Sequence, residues 1–360
     1  MESDISMDEI LGDMGPKKTG KVYNTTWQGF LDAMGVSTAD DLTEKHFLTY
    51  FYNLKKNGLK ASTLWTKYSM LNNVFQRQTG KKLQMEYPRL TMQLKSYQRG
   101  YTRKTAKTFH LHQLQAFMKT DLPSPFWIVR KAFAAIAWSG GLRCDELHRL
   151  KMGSLELTED GFEITYTHAK QLGEVKENKF LVPFNRDDPA ICLATKVKNY
   201  LEALGKLGDD KDSNLFKGCM RGSHFIKNPM GKNTLHDIGK DVAKELGICD
   251  WEAYTGHCWR RSSATQVAGE GATTVDMKRQ FGWKQETTAM RYIDSTKQQT
   301  LKMATLATGQ SIQSTVPSAS ATTATMIVEK QEVTRRIEEP KKAKQVYHIT
   351  MGNNCSITFN

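Results

Sequence analysis

The decisive stretch reads Thr255-Gly256-His257-Cys258-Trp259-Arg260-Arg261-Ser262-Ser263-Ala264-Thr265. His257 and Arg260 stand three positions apart, so a helix beginning there brings both to one face, one turn apart. Downstream come Gly282-Trp283 and then Tyr292. Upstream, an apolar helix from Ala132 to Trp138 breaks at Ser139-Gly140-Gly141. It is followed by Leu142-Arg143-Cys144-Asp145-Glu146-Leu147, which puts Arg143 and Glu146 at the start of the next helix. The paired glycines admit close backbone approach to a ligand, and Arg143 then presents forked donors to a phosphate beside a positive helix end.

Each residue alone has an ordinary reading: Trp283 and Tyr292 as core aromatics, His257 as a helix-start histidine, Arg143 as a surface arginine at a helical corner. In this order and spacing, however, the set resembles the signature of the tyrosine recombinase (phage-integrase) superfamily. There a Leu-Arg-x-x-Glu-Leu box is followed by His-x-x-Arg, Gly-His/Trp and a nucleophilic tyrosine. The resemblance covers about Phe109 to Leu301 closely and the preceding region only by size, helicity and charge. It implies that Arg143 and Arg260 grip a scissile phosphate, that His257 and Trp283 fill the two histidine-type positions, that Glu146 supports the cluster and that Tyr292 is the nucleophile. It also implies a lysine on a β-hairpin between the boxes, for which Lys170 fits best, with Lys176 and Lys179 as rivals.

The residue types suit that chemistry. A tyrosine hydroxyl, with a pKa of about 10, attacks phosphorus at neutral pH only if its proton is removed or its anion stabilised. His257 is the proton acceptor in this reading, and Arg143 and Arg260, with the indole N–H of Trp283, stabilise charge on the nonbridging oxygens. Lys170 protonates the departing 5′ oxygen. The family resemblance implies a 3′-phosphotyrosine intermediate and four protomers on two synapsed DNA sites. The chain shows no Walker-type loop, and His110-Leu111-His112 is too little for zinc, so no cofactor is expected. The expected activity is site-specific DNA recombination, as by a Crypton-like transposon recombinase. The alternatives are a catalytically idle DNA-binding regulator derived from such an enzyme and a type IB topoisomerase, which shares the chemistry.

The 360-residue chain carries a formal net charge of +13. Residues 21 to 110 hold 15 Lys and Arg against 5 Asp and Glu. Such a segment attracts phosphate polyanions through counterion release, without reading sequence, so double-stranded DNA is the expected partner. The DNA-contacting candidates are Lys55, Lys56, Lys60, Lys67, Arg77, Lys81, Lys82, Lys95, Arg99, Arg103 and Lys104. Tyr68, Phe75 and Tyr97, at helical spacing, are read as core. The six cysteines lack paired spacing and no signal peptide or membrane-length apolar run is present, which points to a reducing interior.

Glycines and polarity divide the chain. An acidic leader, 1–21, precedes ordered structure from Val22. A helical DNA-binding domain, 22–100, has helices at Trp27 to Met34, Thr43 to Lys56, Ala61 to Thr79 and Tyr87 to Gln98. A basic linker, 101–108, leads to a catalytic domain, 109–307. There, helices at Leu111 to Lys119 and Phe126 to Trp138 precede strands at Ser154 to Leu157, Phe162 to His168 and Lys179 to Phe184. Further helices follow at Ala190 to Leu204, Lys232 to Leu246, Arg260 to Glu270, Thr274 to Phe281 and Glu286 to Ile293. The fold class is mainly α with a small antiparallel β-sheet. A Ser/Thr-rich and charged tail, 308–345, includes Pro340-Lys341-Lys342-Ala343-Lys344, which reads equally as a nuclear import signal or a solvated run; a nuclear location is expected, or cytoplasm for a prokaryotic or viral source. The segment 346–360 reads as one strand in need of a partner.

Overall fold

The computed structural model describes residues 19–102, 104–167, 177–220 and 223–309, together with the backbone of 349–351 and 355–357. The chain forms two units that divide between Ala307 and Thr308.

The first helices are α1 (Gly20–Met34), α2 (Glu44–Lys56), α3 (Ala61–Thr79), the single turn α4 (Leu83–Glu86) and α5 (Pro88–Gln98). Helix α1 begins inside the stretch expected to be leader, because Trp27, Phe30 and Leu31 with Tyr23 form a stripe that packs into the local core and draws the preceding turn into helix. Phe47, Phe51, Leu64, Leu71 and Phe75 complete that core, and Tyr68 and Tyr97 pack against it. The basic residues of these helices are thus left to the surface. Proline at the first position of α5 sets its start.

The region from Phe109 onward has a core of its own around α7 (Pro125–Gly140), a helix buried on nearly every side from Val129 to Trp138. It follows α6 (Leu111–Lys119), and its one-turn successor is α8 (Cys144–Arg149). The strands β1 (Leu155–Leu157), β2 (Gly161–Thr167) and β3 (Glu177–Pro183) form an antiparallel sheet in the order β1-β2-β3. Phe162 pairs with Val182 and Ile164 with Phe180, all four facing the core, so Thr165 and its partner Lys179 face away from it. Helix α9 (Leu193–Leu204) begins three residues later than the pattern suggested, where Cys192 Sγ accepts the N–H of Thr195.

A second pair, β4 (Lys217–Met220) with β5 (His224–Pro229), was not anticipated. Neither segment alternates, and each carries a residue poorly suited to strands, Gly218 and Pro229. Helices α10 (Lys232–Glu245), α11 (Cys258–Gly269), α12 (Thr274–Phe281), α13 (Glu286–Ile293) and α14 (Lys297–Thr308) complete the unit. Thr273 and Asp276 launch α12 reciprocally, each side chain accepting the other's backbone N–H, at 3.2 and 3.0 Å. In the second unit, β6 (Ile349–Met351) and β7 (Cys355–Ile357) pair antiparallel. The single strand expected there is therefore corrected to two, and the residues between them, Gly352-Asn353-Asn354, have the composition of a turn. Among the described residues no helix is long and apolar enough to cross a membrane.

Candidate active site

Five of the residues singled out by sequence, Arg143, His257, Arg260, Trp283 and Tyr292, line one cleft of about 560 Å³, with Glu146 in its wall. They come from four separate stretches of chain. Local backbone chemistry places each of them.

Arg143 stands at the N-cap of α8, where its backbone N–H donates to Glu146 Oε2 at 2.8 Å and its Nη1 donates to Glu146 Oε1 at 2.8 Å. The Glu146 side chain is 1% exposed against 38% for Arg143, so the carboxylate is an internal post and the guanidinium leans from it into the cleft. One acidic residue both starts the helix and aims the arginine.

Arg260 lies on the first turn of α11, and its guanidinium is buried. Nη1 donates to the carbonyl of Gly141 at 2.7 Å and Nη2 to that of Phe281 at 2.8 Å. Those carbonyls belong to the C-terminal ends of α7 and α12, the negative poles of two helices. Gly141 has φ +55°, and a Cβ there would lie 2.3 Å from the Phe281 ring, so only glycine permits both the turn and the contact. Gln280 Nε2 adds a tie to Ser139 O at 2.8 Å. Burial and the neighbouring Arg143 push the Arg260 guanidinium down to about 10, with Glu146 opposing. It stays cationic at neutral pH, and the N–H groups not spent on carbonyls remain for an anion.

His257 is the residue before α11 and is exposed at the cleft. Its backbone is fixed from beneath: Cys144 Sγ donates to the Gly256 carbonyl at 3.2 Å, and a Cβ on Gly256 would fall 2.1 Å from His236 Nδ1. Helix α11 is also fastened by the chain that leads into α6. Phe109 N–H donates to Ser262 Oγ at 2.8 Å, and Arg261 donates to the carbonyl of Ala106. The segment read as a linker is therefore anchored at its far end.

Trp283 follows Gly282, whose φ of +61° ends α12. Its ring stacks on Phe281 at 4.9 Å and on Tyr292 at 5.3 Å, the latter pair within 10° of parallel. The Arg260 carbon Cζ lies 5.4 Å from the centre of the Trp283 ring. Tyr292, on α13, is half-buried against a small cluster that includes Met277 and Ala289.

Lys170 and Lys176 lie outside the described residues. Lys179 does not join the cleft: on the outward face of β3 it pairs with Glu163 Oε1 at 2.5 Å. Of the expected DNA contacts, Lys55, Lys56, Lys60, Lys82, Lys95, Arg99 and Lys104 are exposed, and Lys67 is half-buried. Arg77 donates to Asn24 and Lys81 pairs with Glu86, while Arg103 lies outside the described residues. Sequence reading missed Lys284 and Thr288, which also line the cleft, and the role of Phe281. The nearness of Lys284 and Thr288 to Trp283 and Tyr292 was the available signal.

No curated protein matches the chain. Among solved structures it is similar to a variant of the Tn1549 transposon integrase in complex with a circular intermediate DNA, at 15% identity over 84% of this chain and 99% of that one, with a TM-score of 0.55. It is also similar to a lambda integrase dimer bound to a COC′ core site, at 14% identity over 80% of this chain and 94% of that one, with a TM-score of 0.50. These likenesses establish the fold, that of tyrosine recombinase catalytic domains. The profile described as the Phage integrase family matches residues 107–299. With more than half of its length matched by that profile, the chain belongs to the phage integrase family.

Proposed function

We propose that the chain is an active DNA strand transferase that cuts and rejoins duplex DNA through Tyr292. The observation that carries this reading is the convergence of two arginines, a histidine and a half-buried tyrosine on one cleft. Tyr292 Oη attacks the scissile phosphorus, forming a phosphotyrosine bond as the bond to the 5′ oxygen breaks. His257 takes the phenolic proton, and a hairpin lysine, Lys170 by preference, returns one to the 5′ oxygen. The resulting 3′-phosphotyrosine keeps the bond energy for religation. Arg143 and Arg260 carry the charge that builds on the nonbridging oxygens, held so that little reorganisation is needed as it develops. Partners are a second DNA site and further copies of the chain, and a mobile element of the Crypton type is the proposed setting.

A duplex nicked near the cleavage point, so that the 5′ fragment diffuses away, tests this directly. The wild-type chain accumulates a covalent adduct and Tyr292→Phe does not. An adduct undiminished in Tyr292→Phe would sink the assignment, and binding without any adduct from the wild type would favour an idle DNA-binding derivative.

A further inference from the structure

One side chain of the catalytic cleft keeps its hydrogen-bonding capacity unspent. Gln285, the residue before α13, and Thr288 and Tyr292 on that helix all line the cleft, at steps of three and four residues, so one stripe of α13 forms its wall. Ala289, on another face, is buried in a small cluster with Met277 and Phe281, which fixes the rotation of the helix. Thr288 is therefore held toward the cleft.

Side chains on an α-helix lean toward its N-terminus, over the residue four positions earlier. For Tyr292 that residue is Thr288. The ring agrees, because it lies against Trp283, which precedes α13, at 5.3 Å and within 10° of parallel. The Thr288 hydroxyl and the Tyr292 phenol thus share one strip of the cleft. Thr274 donates to Glu286 Oε1 at 2.9 Å and Thr296 to the Ile293 carbonyl at 2.8 Å, but among the described residues the Thr288 hydroxyl has no hydrogen-bond partner. The residue is half-buried and β-branched, whereas Lys284 and Gln285, which line the same cleft, are exposed on longer stems. A short hydroxyl on a fixed helix loses little freedom when it meets a ligand.

Arg143 and Arg260 bring charge to this cleft, and a neutral donor adds direction. We propose that Thr288 is a further catalytic residue, its hydroxyl donating a hydrogen bond to one nonbridging oxygen of the phosphate that Tyr292 attacks. The contact orients the phosphorus toward the phenol and takes up part of the charge that builds on that oxygen. The hydroxyl proton stays on Thr288 throughout, and the phenolic proton leaves by way of His257. This inference rests on the strand-transfer function proposed above.

The test crosses variants of the protein with variants of the phosphate. Nicked duplexes carry at the cleavage point either an ordinary phosphate or one of the two phosphorothioate diastereomers, in which sulfur, a weak acceptor, replaces one nonbridging oxygen. Single-turnover adduct formation is measured with the full chain in excess, and duplex affinity is measured beside it. Thr288→Val keeps the shape and removes the donor, so it slows adduct formation by about 10- to 100-fold on the ordinary phosphate while affinity holds. Thr288→Ser, which keeps the donor, recovers most of the rate. On one diastereomer the penalty of Thr288→Val disappears, because sulfur has already removed the contact, and on the other it persists. Thr288→Ala repeats the comparison with a side chain that fits any packing. A penalty of equal size on all three phosphates marks a structural threonine and overturns the proposal. So does a rate that Thr288→Ser fails to recover. A wild type that forms no adduct sinks the strand-transfer reading and this contact with it, whereas a wild type and a Thr288→Val that cleave equally fast sink the contact alone.

Discussion

Glu146 accepts both the backbone N–H and the guanidinium of Arg143, each at 2.8 Å, from a side chain that is 1% exposed. Helix start and the aim of the Arg143 guanidinium are thus one structural decision. Replacing Glu146 with Ala leaves the Arg143 N–H unsatisfied, and unfolding in urea is expected to show a loss of about 1–3 kcal/mol. Glu146→Gln, which keeps one acceptor, loses less. Equal stability for Ala and wild type would refute the double role.

Arg260 is held by two main-chain carbonyls. Lysine carries the charge but not the fork, so Arg260→Lys is expected to slow adduct formation by about 10²–10³-fold. Duplex affinity should change little, since one guanidinium is a small part of a chain with a formal net charge of +13. A variant that cleaves normally would show that charge alone suffices.

Gly141→Ala must place a methyl group 2.3 Å from the Phe281 ring at a φ of +55°. Left-handed strain and overpacking each cost about 1–3 kcal/mol, so thermal unfolding should shift clearly downward and cleavage should fall with it. Retained stability would mean that the two helix ends are freer to part than their packing indicates.

His257→Ala should lower the rate of adduct formation by about 10²–10⁴-fold, the usual contribution of a positioned acid or base. Single-turnover rates on the nicked duplex measure it. Affinity for the duplex, read separately, is the control, and a loss confined to affinity would demote His257 to a binding contact.

Lys131 gives a prediction in pH. Buried in α7, it donates to the carbonyls of Thr120 and Met118, and burial lowers it to about 8 from an ordinary 10.5. Between those values the unfolded chain binds the proton that the folded chain has released, so this residue's contribution to stability rises as pH goes from 8 to 10.5. The stability of the wild type relative to Lys131→Met should therefore rise as pH goes from about 8 to 10.5. A difference that stays constant across that range would place the ammonium in a solvated setting.

The cleft was legible in the sequence because its parts are short-range. The three-residue step from His257 to Arg260 needs only a helix, and glycines mark the ends that place Arg143 and Trp283. What brings these pieces together is carbonyl geometry at Gly141 and Phe281, which no residue type announces. The β4 and β5 pair escaped because neither strand alternates and their pairing shifts register between Lys217 and Cys219. At the front of α1 the error ran the other way, where a polar composition hid a turn that packing recruits.

The main-chain anchoring of Arg260 also bears on inheritance. A side-chain acceptor can be erased by one codon change, but a carbonyl survives every substitution at its own position. Positions 141 and 281 can lose their fit, through bulk at the first or a shrunken ring at the second, without losing the oxygen atoms themselves. Orientation of this cation is therefore buffered against drift, and divergence can accumulate around it while the guanidinium keeps its aim into the cleft.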